Sequence, residues 1–267
     1  MEILNRYKKL LIFIIISYGI TWLLWLPLII YTPPLKFFHQ IGSFGPFIGA
    51  FLTIILFDGL SGIRELVNKI MRFPIRWILF AFLFPFILFI IASIISFFIH
   101  GTWVNYLLLF QSQEYPTIGI VYWILSIVCY GFGEQVGWRG FVLPELIKNG
   151  FNAVYASTVI GILWALWHLP LFWYPSSGFY TMSSATILGW FMSLMLSSYL
   201  LTWIFNSSKK SLATVAIFHG TIDIVVTSRA SEGDIVMIVS VLLMTLGFGV
   251  LLSGKKLEGF KFVGIRN

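Results

Sequence analysis

Long apolar stretches alternate with short polar ones along this chain, and the apolar stretches show neither the strict two-residue alternation of a half-buried strand nor the narrow stripe of a surface helix. A hydrocarbon core of about 30 Å needs roughly 20 residues at about 1.5 Å each. Runs of that order lie at 9–32, 42–58, 77–99, 117–147, 152–174, 185–206, 210–228 and 234–253. They are too long and too continuously apolar for the strands of a membrane barrel, and in lipid every backbone amide needs an internal partner. The pattern predicts an all-α, polytopic membrane protein with about eight transmembrane helices.

The polar connections add little to that plan. The longest, around 59–76 and 100–116, leave no room for a soluble domain, and no internal repeat or low-complexity linker separates the spans. Residues 1–267 therefore read as a single membrane domain. Within SGIRELVNKIMRF, Ile63, Leu66, Val67, Ile70 and Met71 follow helical spacing while Arg64, Lys69 and Arg72 point elsewhere, as expected of a helix lying on the membrane face.

Composition agrees with the pattern: 59 % of the 267 residues are hydrophobic and 10 % charged, with a mean hydropathy of +0.94. That is too little polar material to coat a soluble globule of this size. The net charge of +7 would suit nucleic acid if it were clustered. It is instead divided between the two sides of the spans. Arg6, Lys8, Lys9, Arg64, Lys69, Arg72, Arg76, Arg139, Lys148, Lys209, Lys210, Lys255, Lys256, Lys261 and Arg266 fall on one side, 15 of 17, and Lys36 and Arg229 on the other. This is the positive-inside pattern, so both termini are expected in the cytoplasm of a multi-pass cell-membrane protein, with the lipid bilayer rather than nucleic acid as its surroundings. The first span follows basic residues as a signal sequence does, but it runs past twenty residues without a small-residue cleavage site and reads as an uncleaved helix. Cys129 is the single cysteine, which excludes an internal disulfide.

Candidate chemistry comes from charge placed where it is expensive. Glu134 and Asp223 lie deep within spans, as do His168 and His219, and Arg139 sits on the same span as Glu134. A carboxylate at mid-membrane costs several kcal/mol, so such groups normally face the bundle interior. Taken from the basic ends of their helices, Glu134 lies about 21 Å in, His168 about 24 Å, His219 about 14 Å and Asp223 about 20 Å, at 1.5 Å rise per residue. One shared polar site inside the bundle is expected. Residues four apart share a helix face: His219 with Asp223, Trp164 with His168, Gln135 with Arg139. Asp223 can then orient His219 or bind the same ligand, Trp164 can wall the site, and Gln135 can hold the Arg139 guanidinium. Pro170 withdraws a backbone donor two residues beyond His168 and leaves the Leu166 carbonyl open.

GEQVGWRGFVLPEL, GILWALWHLPLFW and SLATVAIFHGTID, in that order on three successive polar helices, resemble the signature segments of the CPBP family, the CAAX-protease and bacteriocin-processing (Abi) intramembrane endopeptidases. The resemblance covers about 117–228, the expected catalytic core helices. It implies cleavage of a peptide bond within or beside the membrane, with Glu134, His168 and His219 catalytic and Gln135, Arg139 and Trp164 supporting. The family pattern is Glu-Glu-x-x-x-Arg, Phe-x-x-x-His and His-x-x-x-Asn. Three positions depart from it, Gln135 for the second glutamate, Trp164 for phenylalanine and Asp223 for asparagine.

Peptide hydrolysis needs an activated water, an oxyanion donor and a proton for the leaving amine. Two versions stand at this point. In one, Glu134, His168, His219 and Asp223 hold Zn²⁺, which lowers the pKa of a bound water to about 7. In the other, Glu134 is the general base with His168 as its partner and no metal takes part. HExxH is absent, so the template of soluble metalloproteases does not decide between them. The expected partner is a peptide or protein substrate in the membrane, membrane-associated or secreted. A scaffold or bacteriocin-immunity protein that keeps the fold without turnover is the alternative, and an ion-coupled transporter is disfavoured by the lack of paired half-chain repeats.

Overall fold

The computed structural model describes residues 2–31, 37–113 and 119–253. Lys36, Lys255, Lys256, Lys261 and Arg266 of the charge pattern lie outside these, as do the first residues of the span expected from 117. The helices are α1 (Glu2–Ile30), α2 (Phe37–Gly42), α3 (Gly45–Phe57), α4 (Gly59–Ile70), α5 (Ile75–His100), α6 (Ile120–Lys148), α7 (Ala153–Trp167), α8 (Ser184–Ser207), α9 (Leu212–Thr227) and α10 (Asp234–Leu252). Among the described residues the only non-helical pairing is one isolated bridge, Ser112 with Ser228.

Seven stretches are long and apolar enough to cross a bilayer: Arg6–Ile30, Phe38–Phe57, Ile75–His100, Ile120–Lys148, Ala153–Trp173, Ser184–Ser207 and Asp234–Leu252. The all-α polytopic architecture is thus borne out. The eighth expected span is α9, apolar but only 16 residues long, about 24 Å at 1.5 Å per residue. Its burial explains why that suffices. His219, Gly220, Thr221, Ile224 and most of its other residues are buried, with α5, α6 and α8 packed around it, so protein rather than lipid satisfies and covers it.

The approach of α6 to α9 is set by glycine. A Cβ on Gly131 would stand 2.2 Å from the Ala216 carbonyl oxygen, and one on Gly220 would stand 2.4 Å from Ile127 Cα. The two backbones touch, as small residues allow in membrane bundles. Along α6 the turns widen to π-helix over Ser126–Phe132 and again over Val136–Val142, and Glu134 and Gln135 sit between the two. Wide turns of this kind re-aim side chains and gather at functional sites.

The two ends of the bundle differ in charge. Arg6 bonds Asn149 Oδ1 at 3.3 Å, Lys9 pairs with Asp58 at 2.5 Å, and Arg72 donates to the Lys209 carbonyl at 2.8 Å. The opposite end is held by Arg229 to Gln111 Oε1 at 3.2 Å and His100 to Asp234 at 3.3 Å. Helix α4 lies at the basic end, docked by Leu66, while Val67 and Met71 of its expected apolar face stay exposed. Lys69 hydrogen-bonds Glu65 at 2.7 Å and holds that carboxyl below its usual range.

Helix α1 closes the bundle over the end of α7. Pro170 turns the chain from α-helix to a 3₁₀ turn over Leu169–Trp173, which strands carbonyls at the helix end. Trp22 donates to the Trp167 carbonyl at 3.0 Å, the Tyr18 hydroxyl to that of Leu163, and Trp167 Nε1 to Thr21 Oγ1 at 2.9 Å.

Candidate functional site

Glu134, His168, His219 and Asp223 all line one cavity of about 300 Å³ between α6, α7, α8, α9 and α10. Its walls are mostly apolar, with the aromatic rings of Trp25, Trp164, Phe179 and Trp190 among them. Glu134 is 3 % exposed and His219 8 %, so both are removed from lipid and bulk water.

Trp164 is the residue that touches most of the group. Its Nε1 donates to Glu134 Oε2 at 2.6 Å, its ring stands edge-on to His219 at 5.2 Å, and its carbonyl lies 2.7 Å from His168 Nδ1. The Arg139 guanidinium lies 5.3 Å from the centre of the same ring, a cation–π contact made in a dry interior. The expectation of a wall is therefore too modest for this side chain, because it also holds the Glu134 carboxyl through a short hydrogen bond.

The His168 contact fixes that ring. A carbonyl only accepts, so Nδ1 carries the proton and Nε2 keeps its lone pair. Trp167, Phe179 and Trp190 surround the ring at 4.7, 5.8 and 5.7 Å between centroids. His168 is thus an oriented base in an apolar cage.

Arg139 is fully buried and does not line the cavity. Its two terminal nitrogens donate to Gln135 Oε1 at 2.9 Å and to the Ser198 carbonyl and hydroxyl at 3.1 Å each. It bolts α6 to α8. Glu145, further along the same helix, lies 3.9 Å from Lys9. Gln135 reaches on to His219 Nδ1 at 2.9 Å, and His219 Nε2 stands 3.5 Å from Asp223 Oδ2.

The structure adds a polar group that the pattern hid. His39 of α2 lines the cavity, 5.7 Å from the Tyr130 ring and 5.4 Å from that of Trp25. By sequence it sits at the outer edge of a span; the only available signal was a histidine inside the apolar run FFHQIG.

The donor set does not fit Zn²⁺ as arranged. Among the described residues no group of three or more His, Cys, Asp and Glu side chains is disposed to hold a metal ion. Glu134 Oε2 is engaged by the Trp164 indole and His219 Nδ1 by the Gln135 amide.

A helical bundle of bilayer-crossing length closed around a carboxylate, two imidazoles and a second carboxylate defines an all-α membrane protein with a polar interior site. Residues 115–225 match the family model described as type II CAAX prenyl endopeptidase Rce1-like, and the segment contains Glu134, Gln135, Arg139, Trp164, His168, His219 and Asp223. The resemblance to the CPBP family is borne out over this segment. The chain is also similar to CAAX prenyl protease 2 of Methanococcus maripaludis, 29 % identical over 127 residues that make up 46 % of each chain. The match thus spans about half the length of that curated relative.

Proposed function

We propose that this protein is an intramembrane endopeptidase that hydrolyses a peptide bond of a membrane-associated or secreted peptide, using Glu134 and His168 to activate water and His219 to face the developing oxyanion. The observation that carries the reading is the convergence of these three side chains, all within the matched segment, on one cavity. Glu134 and the Nε2 lone pair of His168 are the two acceptors able to take a proton from water as its oxygen attacks the scissile carbonyl. The carbonyl oxygen gains the negative charge, and a donor from His219 meets it in a site where water does not compete. The proton taken from water then passes to the leaving amine. No step is assigned to a metal, since among the described residues no three His, Cys, Asp or Glu side chains are disposed to hold one.

The aromatic walls suit an apolar substrate segment. The name of the Methanococcus relative points to a prenylated CAAX sequence as one such substrate, and any lipid-borne peptide shares the chemistry. We orient the bundle with its basic end, including residues 6–9, 64–72 and 209–210, toward the cytoplasm, from the positive-inside asymmetry. A fold kept without turnover is the second reading, favoured by the Trp164 indole on the Glu134 carboxylate. Intact-mass comparison of membrane peptides from cells carrying wild type or Glu134→Ala tests the proposal. Peptides that are shortened only with wild type are expected, and identical peptide sets in both strains would contradict an endopeptidase.

A further inference from the structure

Gln135 and Asp223 are two of the positions at which the polar core leaves the family pattern, and the structure puts them on opposite nitrogens of one imidazole. Gln135 Nε2 lies 2.9 Å from His219 Nδ1, and Asp223 Oδ2 lies 3.5 Å from His219 Nε2. The Gln135 amide is not free to turn. A guanidinium only donates, so the Arg139 nitrogen 2.9 Å from Gln135 Oε1 requires the carbonyl end to face Arg139 and the N–H end to face His219. Arg139 is in turn fixed by both oxygens of Ser198. Nδ1 must therefore accept, and a neutral ring then carries its proton on Nε2.

We propose that Arg139 and Gln135 form one unit that holds His219 as the Nε2–H tautomer, the Gln135 amide donating to Nδ1 while the Asp223 carboxylate lies beside Nε2. Gln135 and Arg139 are positioning residues in this unit, and it rests on the endopeptidase reading only for the use to which the Nε2–H is put. The pattern's Glu and Asn would offer the mirror arrangement, an acceptor on Nδ1 and an amide beside Nε2. Either pairing leaves one carboxylate beside the ring. The 3.5 Å separation from Asp223 exceeds an ordinary hydrogen bond, so the Nε2–H still faces the cavity as a donor for a substrate oxygen. It offers no lone pair there to a cation. His219 and His168 then hold complementary roles, since the Trp164 carbonyl fixes the opposite tautomer on His168.

The competing arrangement is specific. The Tyr130 backbone carbonyl also faces the His219 ring, and a proton on Nδ1 could go to it. That would set the Nδ1–H against the Gln135 N–H and leave two buried donors opposed.

The test is nitrogen NMR on the full-length protein in detergent, labelled with ¹⁵N-histidine, with the His219 signals assigned by their loss in His219→Gln. In wild type, Nε2 should show the one-bond coupling to hydrogen and Nδ1 none. Asp223→Asn alone should leave that assignment unchanged, whereas Gln135→Glu combined with Asp223→Asn should move the coupling to Nδ1. A coupled Nδ1 in wild type overturns the inference, as does a double variant indistinguishable from wild type. Wild type alone decides the point if the double variant does not fold. No turnover is read, so an absence of peptidase activity would sink the endopeptidase reading and leave this result standing.

Discussion

At the scale of single residues, the expense of burying charge made Glu134, His168, His219 and Asp223 legible before any coordinates, because few roles justify such groups at bilayer depth. The links between them were not legible. A tryptophan or glutamine on a helix face says nothing of which neighbouring helix it will meet, and both Trp164 and Gln135 take their meaning from partners 30 and 84 residues away. Trp164 gives the sharpest test at this scale. Trp164→Phe keeps a ring over Arg139 and against His219 and removes only the donor to Glu134, so it should cost about 1–3 kcal/mol, the penalty of leaving a buried polar group without its partner. Trp164→Ala empties a buried site and should cost about 3–5 kcal/mol. Reversible denaturation in mixed micelles measures both. A Trp164→Phe protein as stable as wild type would show that the Glu134 carboxylate does not depend on the indole.

At the scale of elements, spans announce themselves by length, and the eight predicted runs correspond to the seven long helical stretches and to α9. Their interruptions were harder to read. The break between α2 and α3 and the two π-helical stretches of α6 depend on what packs against the backbone, which no local pattern encodes. His39 was missed for the same reason, since α2 folds inward beside Tyr130 instead of ending at the membrane edge. The contact of α6 with α9 carries a prediction of its own. Gly220→Ala drives a methyl group into the Ile127 backbone and should destabilise the bundle by about 1–3 kcal/mol, as overpacking does. Gly189→Ala, which meets nothing within 4 Å, is the control and should be stable. Equal stability of the two variants would mean that the backbones are not in contact.

At the scale of the whole molecule, the basic residues foretold that the ends of the bundle would differ: Arg6, Lys9 and Arg72 lie at one end and Arg229 at the other, whereas Arg139, counted with the first group, is buried between α6 and α8. Which end faces the cytoplasm follows from the positive-inside rule and is open to direct measurement. In a Cys129→Ser background, single cysteines at Asn105, Ser176 and Glu232 should react with an impermeant reagent added outside intact cells, and those at Asn68 and Lys209 should be protected. Reaction at 209 from outside would invert the topology. The division of labour proposed for the interior is tested most directly by purified wild-type protein in detergent, given a lipid-tethered peptide and no added metal. Wild type should cleave it, while Glu134→Ala and His168→Ala, folded to the same extent, should each lose at least about 10²-fold in turnover. Cleavage by Glu134→Ala at the wild-type rate would contradict the account.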